Sequence, residues 1–255
     1  MAIPTTDSGT THPSARPTAD TAGPSQWETR LPVLLSVIAG MVDLIGFLTL
    51  GHIFTAHITG NLVVLAAVLV SGGPVNLAQA LAIPVFMLAV AAVWLLTKAA
   101  GTRGPRLTRM LLVIQFLLLA GVLTFSVATH PSANPKGLLA GITIEIAVSA
   151  MACQFALLRL ALPGAPSTAV MTGNLTTTVL SLLDTIWSRH PVMEGAAQRL
   201  RHFLPVVIGF FGGCVVAAVA VTWLGDWVWS LPTVLAGAAV ASGQTSSSSP
   251  RSSQS

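Results

Sequence analysis

Few polar residues in this sequence could do chemistry, and those that recur do so in a pattern. Thr59-Gly60-Asn61 and Thr172-Gly173-Asn174 lie in two closely similar stretches, HITGNL and VMTGNL. Each opens an apolar run, VVLAAVLV after the first and TTTVLSLL after the second. Gly60 and Gly173 permit a turn or a close helix approach. Thr59 and Thr172 are placed to cap the helix that follows by accepting from its free N–H groups. Asn61 and Asn174 can bridge to a neighbour through the carboxamide. The N-terminus of such a helix carries partial positive charge, which suits an anion or a polar solute. The plainer reading is that the motif only caps and packs two helices.

Other candidates lie close by in the chain. Asp43 sits midway along the first apolar run. A carboxylate at that depth costs about 2.5–3.5 kcal/mol on insertion scales, so it must face the interior or a cavity. It is either a proton, cation or substrate anchor or a neutral, hydrogen-bonded packing residue, and Glu145 is weighed in the same way. Gln154 is the matching polar residue ahead of the second motif. His57, just before the first motif, can titrate near neutral pH or simply cap the loop. The sequence holds no P-loop, HExxH, G-x-S-x-G or metal-ligand cluster. Cys153 and Cys214 lie inside apolar runs as small packing residues. The expectation is therefore no enzyme, no cofactor and no metal.

The elements that must position these residues follow from composition. Of 255 residues, 53% are hydrophobic and 8% charged, against roughly 25% charged in soluble domains. So few charges cannot cover a water-facing surface, and the class is an all-α, polytopic membrane protein. Long continuous apolar runs replace the alternating segments of a β-barrel. The net charge of +4 comes from scattered loop residues and does not signal nucleic acid. The partner is the lipid bilayer. Residues 1–29 read as a disordered Thr/Pro/Ser-rich arm and 242–255 as a disordered Ser-rich tail. Between them lie apolar segments at 31–50, 62–70, 77–97, 110–128, 138–158, 175–187, 203–224 and 227–241. Pro84 is expected to kink the third. The segments at 62–70 and 175–187 are short of the roughly 20 residues that a crossing needs.

Charge placement arbitrates between two arrangements. If all eight segments cross and the N-terminus is inside, Arg16, Arg30, Lys136, Arg189, Arg199, Arg201 and Arg251 lie inside. Lys98, Arg103, Arg106, Arg109 and Arg159 then lie outside, seven against five. If the two motif segments instead enter and leave on one side, six helices cross. Of the 12 basic residues only Lys136 then stays outside, eleven against one. The positive-inside rule favours this second arrangement, with both termini cytoplasmic. Trp27, Trp94 and Trp187 then fall near the inner interface, and Trp223, Trp227 and Trp229 near the outer.

Each half reads as helix, motif segment, helix, helix, giving a first membrane repeat at 30–130 and a second at 131–241. With three crossings per half, an odd number, the second half is inverted relative to the first. With four, the halves are parallel. The segments AGMVDLIGFLTLGHIFTAHITGNLVVLA and PGAPSTAVMTGNLTTTVLSLLD resemble the two signature regions of the YoaK family of bacterial membrane proteins, over residues 31–241. That resemblance implies a polytopic helical architecture in a bacterial inner membrane, and supplies neither substrate nor reaction. The family pattern favours Gln-Asn-Ala on the fifth segment, whereas here Gln154 is followed by Phe155. The expected function is a transporter or channel-like protein for a small polar solute, with its site at the paired motifs and Asp43, Glu145, Gln154 and His57 beside them. A non-transporting membrane scaffold or partner-binding protein is the alternative, and a homo-oligomer stays open.

Overall fold

A computed structural model of the chain describes residues 26–187 and 195–245, with side chains described for 30–187 and 195–242. Arg189, the N-terminal arm to residue 25, the Trp27 side chain and the tail from 246 lie outside the described residues. All secondary structure within them is helical: α1 (Gln26–Thr49), α2 (Ile58–Ser71), α3 (Leu77–Ala100), α4 (Pro105–Thr129), α5 (Leu138–Leu160), α6 (Met171–Trp187), α7 (Ala196–Leu224) and α8 (Ser230–Thr245). Short 3-10 turns at Pro131–Ala133 and Gly225–Trp229 lead into α5 and α8.

Several helices outrun their apolar segments because helical backbone does not stop at the first polar residue. Pro105 starts α4 in the first turn, where its missing N–H costs nothing, with Gly104 as the cap. The polar turns AAQRLRH open α7. Pro84 lies inside α3, and the helix continues through it. Five stretches are long and apolar enough to cross a bilayer: Arg30–Thr49, Leu77–Ala100, Pro105–Thr129, Leu138–Leu160 and Ala196–Ser242. The last contains both α7 and α8. Their outward faces carry large apolar side chains such as Met87, Leu88, Leu117 and Ile208, as a lipid-facing surface requires.

Contacts fix which helix ends lie together. A Cβ added to Gly51 would sit 2.8 Å from the carbonyl oxygen of Pro135 and 3.2 Å from the Asn76 side chain. The end of α1, the start of α3 and the α4–α5 connection therefore meet at one end of the bundle. Ser126 and His130 at the end of α4 reach Asp226 in the turn after α7, so that turn belongs to the same end. At the opposite end, the start of α1 meets the end of α5 and the start of α7 around a cavity of about 620 Å³ lined by Pro32, Leu162, Arg201 and His202. Helices α1 and α7 run parallel in close contact, as do α3 and α5. Helices α1 and α5 run antiparallel, Gly46 against Ile144 and Leu35 against Gln154. Helices α4 and α8 are antiparallel, Leu119 against Thr233 and Phe116 against Gly237. Helix α2 packs on α3, and α6 on α7, at the two flanks.

The α1–α7 crossing depends on small residues. A Cβ on Gly40 would collide with the backbone of Phe210, and one on Gly213 with the backbone of Val37. Close backbone approach of this kind is how helices associate where no hydrophobic effect drives them together. Gly212, next to Gly213 in sequence, plays no such part, because a Cβ there meets nothing within 4 Å. Trp94, Trp187, Trp223 and Trp227 are exposed, as interfacial residues should be, but Trp229 is buried. The 3-10 turn rotates Trp229 inward, so it packs in the core instead of standing at the interface. Gly213→Leu should therefore lose at least the 1–3 kcal/mol typical of overpacking, read as a lower melting temperature in detergent. Gly212→Leu should melt like the wild type, and equal losses would overturn this assignment of faces.

Candidate functional site

The chain between α1 and α2 turns back along α1 and does not leave the bundle. Asp43 lies six residues before the end of α1, about 9 Å along the axis at 1.5 Å per residue. Its carboxylate receives the returning loop at that depth. Oδ1 accepts from the backbone N–H of Thr55 at 2.8 Å and of Ala56 at 2.7 Å, with longer contacts from His57 N and the Thr55 hydroxyl at 3.4 Å. Successive N–H groups converging on one oxygen form an anion nest, here filled by the protein's own carboxylate. Oδ2 faces His57 Nδ1 at 2.6 Å. That hydrogen bond raises the His57 imidazole above its ordinary value, against burial, which lowers it. His57 also stands edge-on to Phe210 of α7 at 5.3 Å.

Asn61 completes the turn. Its Oδ1 accepts from Phe54 N at 2.9 Å and its Nδ2 donates to Phe54 O at 2.7 Å. Both sides of the carboxamide are thus spent on one backbone residue seven positions earlier, and Asn61 is fully buried. A Cβ on Gly60 would press to 3.0 Å on the Phe54 ring, so the glycine admits that ring.

The second motif repeats the construction with different chemistry. Gln154 also lies six residues before its helix ends, at Leu160. Its Nε2 donates to the Thr168 hydroxyl at 3.0 Å and to Leu35 O on α1 at 2.9 Å, and its Oε1 accepts from Gln115 Nε2 on α4 at 2.7 Å. Asn174 Nδ2 donates to Ser167 O at 2.9 Å, again seven residues back. Thr55 and Thr168 each precede the motif asparagine by six residues, and both are fully buried. Neither threonine stands out by residue type alone. The signal was present as Thr-Ala-x-x-Thr-Gly-Asn in TAHITGN and TAVMTGN.

The expected caps are not made by Thr59 and Thr172. Helices α2 and α6 begin at Ile58 and Met171, so each threonine is already the second helical residue, and both are exposed. The cap position of α2 is His57, whose side chain goes to Asp43 instead. Gly173 is exposed beside Val170. The two Thr-Gly-Asn motifs are not packed on one another, since α2 leans on α3 and α6 on α7. Glu145 stands apart from both, in a cavity at the end of the bundle that holds Gly51 and Lys136. Where the family pattern favours asparagine, Phe155 is buried with its ring 6.0 Å from Phe86. Cys153 and Cys214 are free thiols directed at the backbone oxygens of Leu111 and Gly40, in keeping with packing. Among the described residues no group of three or more His, Cys, Asp and Glu side chains could hold a metal.

Apolar helices of crossing length, polar side chains turned inward and large apolar residues turned outward define a polytopic helical membrane protein. Residues 31–242 match the family model described as "Protein of unknown function (DUF1275)", and the chain belongs to that family. It is also similar to the UPF0700 transmembrane protein YoaK of Bacillus subtilis (strain 168), 62% identical over 32 residues. That stretch covers 12% of this chain and 14% of the relative. No solved structure matches.

The clamps differ in how many backbone groups they satisfy, and that difference is measurable. Asn61→Ala strips partners from both polar groups of Phe54, whereas Asn174→Ala strips one from Ser167. At about 1–3 kcal/mol per orphaned group, Asn61→Ala should lose about twice as much stability. Amide exchange should accelerate at residues 54–57 in the first variant. Unchanged exchange there would count against the clamp.

Proposed function

We propose that the chain is a six-crossing membrane protein with inverted halves that moves a small polar solute, α2 and α6 being re-entrant elements. The observation that carries the reading is the repeated loop clamp. In each half, a buried polar side chain six residues from a helix end catches a returning loop, and the motif asparagine reaches back seven residues to close it. Helix α2 has 14 residues, about 21 Å. The chain after it brings Asn76 beside Gly51 at the end of α1, which favours a return to the face that α2 set out from. The pairing of α1 with α7 and of α3 with α5, both parallel, is the pattern two inverted halves would make. Discontinuous elements of this kind, one per half, are where transporters place their solute and ion sites. The Asp43–His57 pair is then the group able to bind or release a proton as the loop moves.

A scaffold reading has its own support. The hydrogen-bonding capacity of Asn61 and Gln154 is consumed inside the protein, and α2 and α6 leave broad apolar faces such as Leu69–Val70 and Ile186–Trp187 open at the flanks.

Two measurements separate these readings. In a background lacking Cys153 and Cys214, Gly73→Cys should react with an impermeant thiol reagent from outside intact cells, and Gly164→Cys only after permeabilisation. Eight crossings with the N-terminus inside would reverse the two results. For function, proteoliposomes loaded with a pH-sensitive dye are challenged with a panel of amino acids, sugars, nucleosides and organic acids. At least one solute should drive a proton-linked signal that Asp43→Asn reduces tenfold or more at equal protein incorporation. Silence across the panel, with Asp43→Asn altering assembly alone, would sink the transport reading in favour of the scaffold.

A further inference from the structure

One cavity lies at the end of the bundle where α1 finishes, and it contains a carboxylate with no hydrogen-bond partner in the protein. It encloses about 890 Å³ between α3, α4 and α5, and its mouth is formed by Gly51, His52, Pro74 and Lys136. Small-molecule sites occupy about 300–1,000 Å³, so the volume suits a ligand of modest size. The walls are aliphatic, with Leu81, Val85, Leu118, Ile142 and Ile146 facing the space. Among them stands Glu145, in the second turn of α5. Both of its carboxylate oxygens are shielded from solvent and have no hydrogen-bond partner.

The polar neighbours do not compensate. Ser149 donates its hydroxyl to the backbone oxygen of Glu145, not to the carboxylate. Asn76 spends its side-chain oxygen on Ala78 N at the start of α3. Lys136 and His52 are the other charged or titratable lining residues, and among the described residues neither forms an ion pair with Glu145. Lys136 lies two residues before α5 begins, whereas Glu145 lies eight positions into it, about 10 Å further along the axis. A shielded carboxylate in apolar walls either holds a proton or takes a cation in with it.

We propose that this cavity binds an ammonium group carried on an apolar body, with the Glu145 carboxylate as its counter-charge. The aliphatic walls take the body, and the carboxylate two turns inside takes the charge. The proposal does not depend on the transport reading, because it concerns equilibrium binding in a cavity that no residue of either Thr-Gly-Asn motif lines. The ammonium has two possible sources, a soluble amine or the headgroup of an aminophospholipid, and both present the same chemistry to Glu145.

The test uses the full chain in phosphatidylglycerol nanodiscs, with benzyltrimethylammonium as the probe and empty discs as the background. The wild type should bind the probe saturably. Glu145→Gln, which keeps the volume and removes the charge, should bind at least tenfold more weakly, and Glu145→Asp should stay within a few-fold of wild type. Benzenesulfonate and the uncharged isostere neopentylbenzene should not bind saturably. Should Glu145→Gln fail to fold, Ile142→Trp keeps the carboxylate and fills the cavity, and it too should lose the probe. Discs containing phosphatidylethanolamine divide the sources. Weaker probe binding there assigns the site to the lipid headgroup, and unchanged binding assigns it to a soluble amine. No saturable binding by the wild type, undiminished binding by the folded variants, or equal binding of either control overturns the proposal. Probe binding without any solute flux would leave this site standing while the transport reading falls.

Discussion

Backbone that turns back inside a bundle of apolar helices has no water to bond with. Every N–H and C=O in the returning stretch must find a partner within the protein or cost several kcal/mol. In this chain the constraint is met by two clamps of matching geometry. Asp43 takes the N–H groups of Thr55 and Ala56, and Asn61 takes both polar groups of Phe54. In the second, Gln154 holds the Thr168 hydroxyl and not backbone, and Asn174 takes the carbonyl of Ser167. Without them neither loop could lie against the helix it has just left, and α2 and α6 would have no fixed starting point. The α1–α7 glycine crossing serves the same end, because it brings Phe210 against His57 at the floor of the first loop.

The class of the protein was legible in composition, and its family in the two Thr-Gly-Asn regions, because both are properties of the sequence read locally. Asp43, Gln154, Asn61 and Asn174 also stood out, since a polar side chain in an apolar run demands an explanation. Thr55 and Thr168 did not, because threonine is unremarkable near a loop and only the partner across the turn makes it necessary. The capping role expected of Thr59 and Thr172 failed for a related reason. Local rules place a cap by residue type, but here Asp43 and Asn61 had already satisfied the loop, and the helix could begin one residue before the threonine. The outward Gly212 and inward Trp229 turn on which helix face meets a neighbour, which spacing within one helix does not state. The Glu145 cavity draws its walls from three helices and its mouth from three connections, so no single stretch of sequence announced it.

The halves share geometry and differ in charge. The first clamp is a carboxylate held by backbone N–H groups and an imidazole. The second is a neutral amide held by another amide, a hydroxyl and a carbonyl. A neutral network such as Gln115–Gln154–Thr168 has no titrating member, and its bonds do not depend on pH. The first clamp contains an imidazole, and the His57–Asp43 hydrogen bond ties the loop to α1 while the ring rests on α7. Any change in protonation there is therefore felt at the tightest helix contact in the bundle. In a protein with two matched loops, that asymmetry puts the ionisable groups in one loop clamp and only neutral ones in the other.

The same asymmetry extends to the two end cavities. One is entered past Lys136 and holds Glu145 with no internal partner. The other, formed by the start of α1, the loop before α6 and the start of α7, presents Arg201 and His202. Each lies beside the returning loop of a different half, one with a shielded carboxylate behind Lys136 and the other with Arg201 and His202 in its lining. Repetition fixes the geometry of both ends, and the chemistry of each rests on the few residues in which the halves differ.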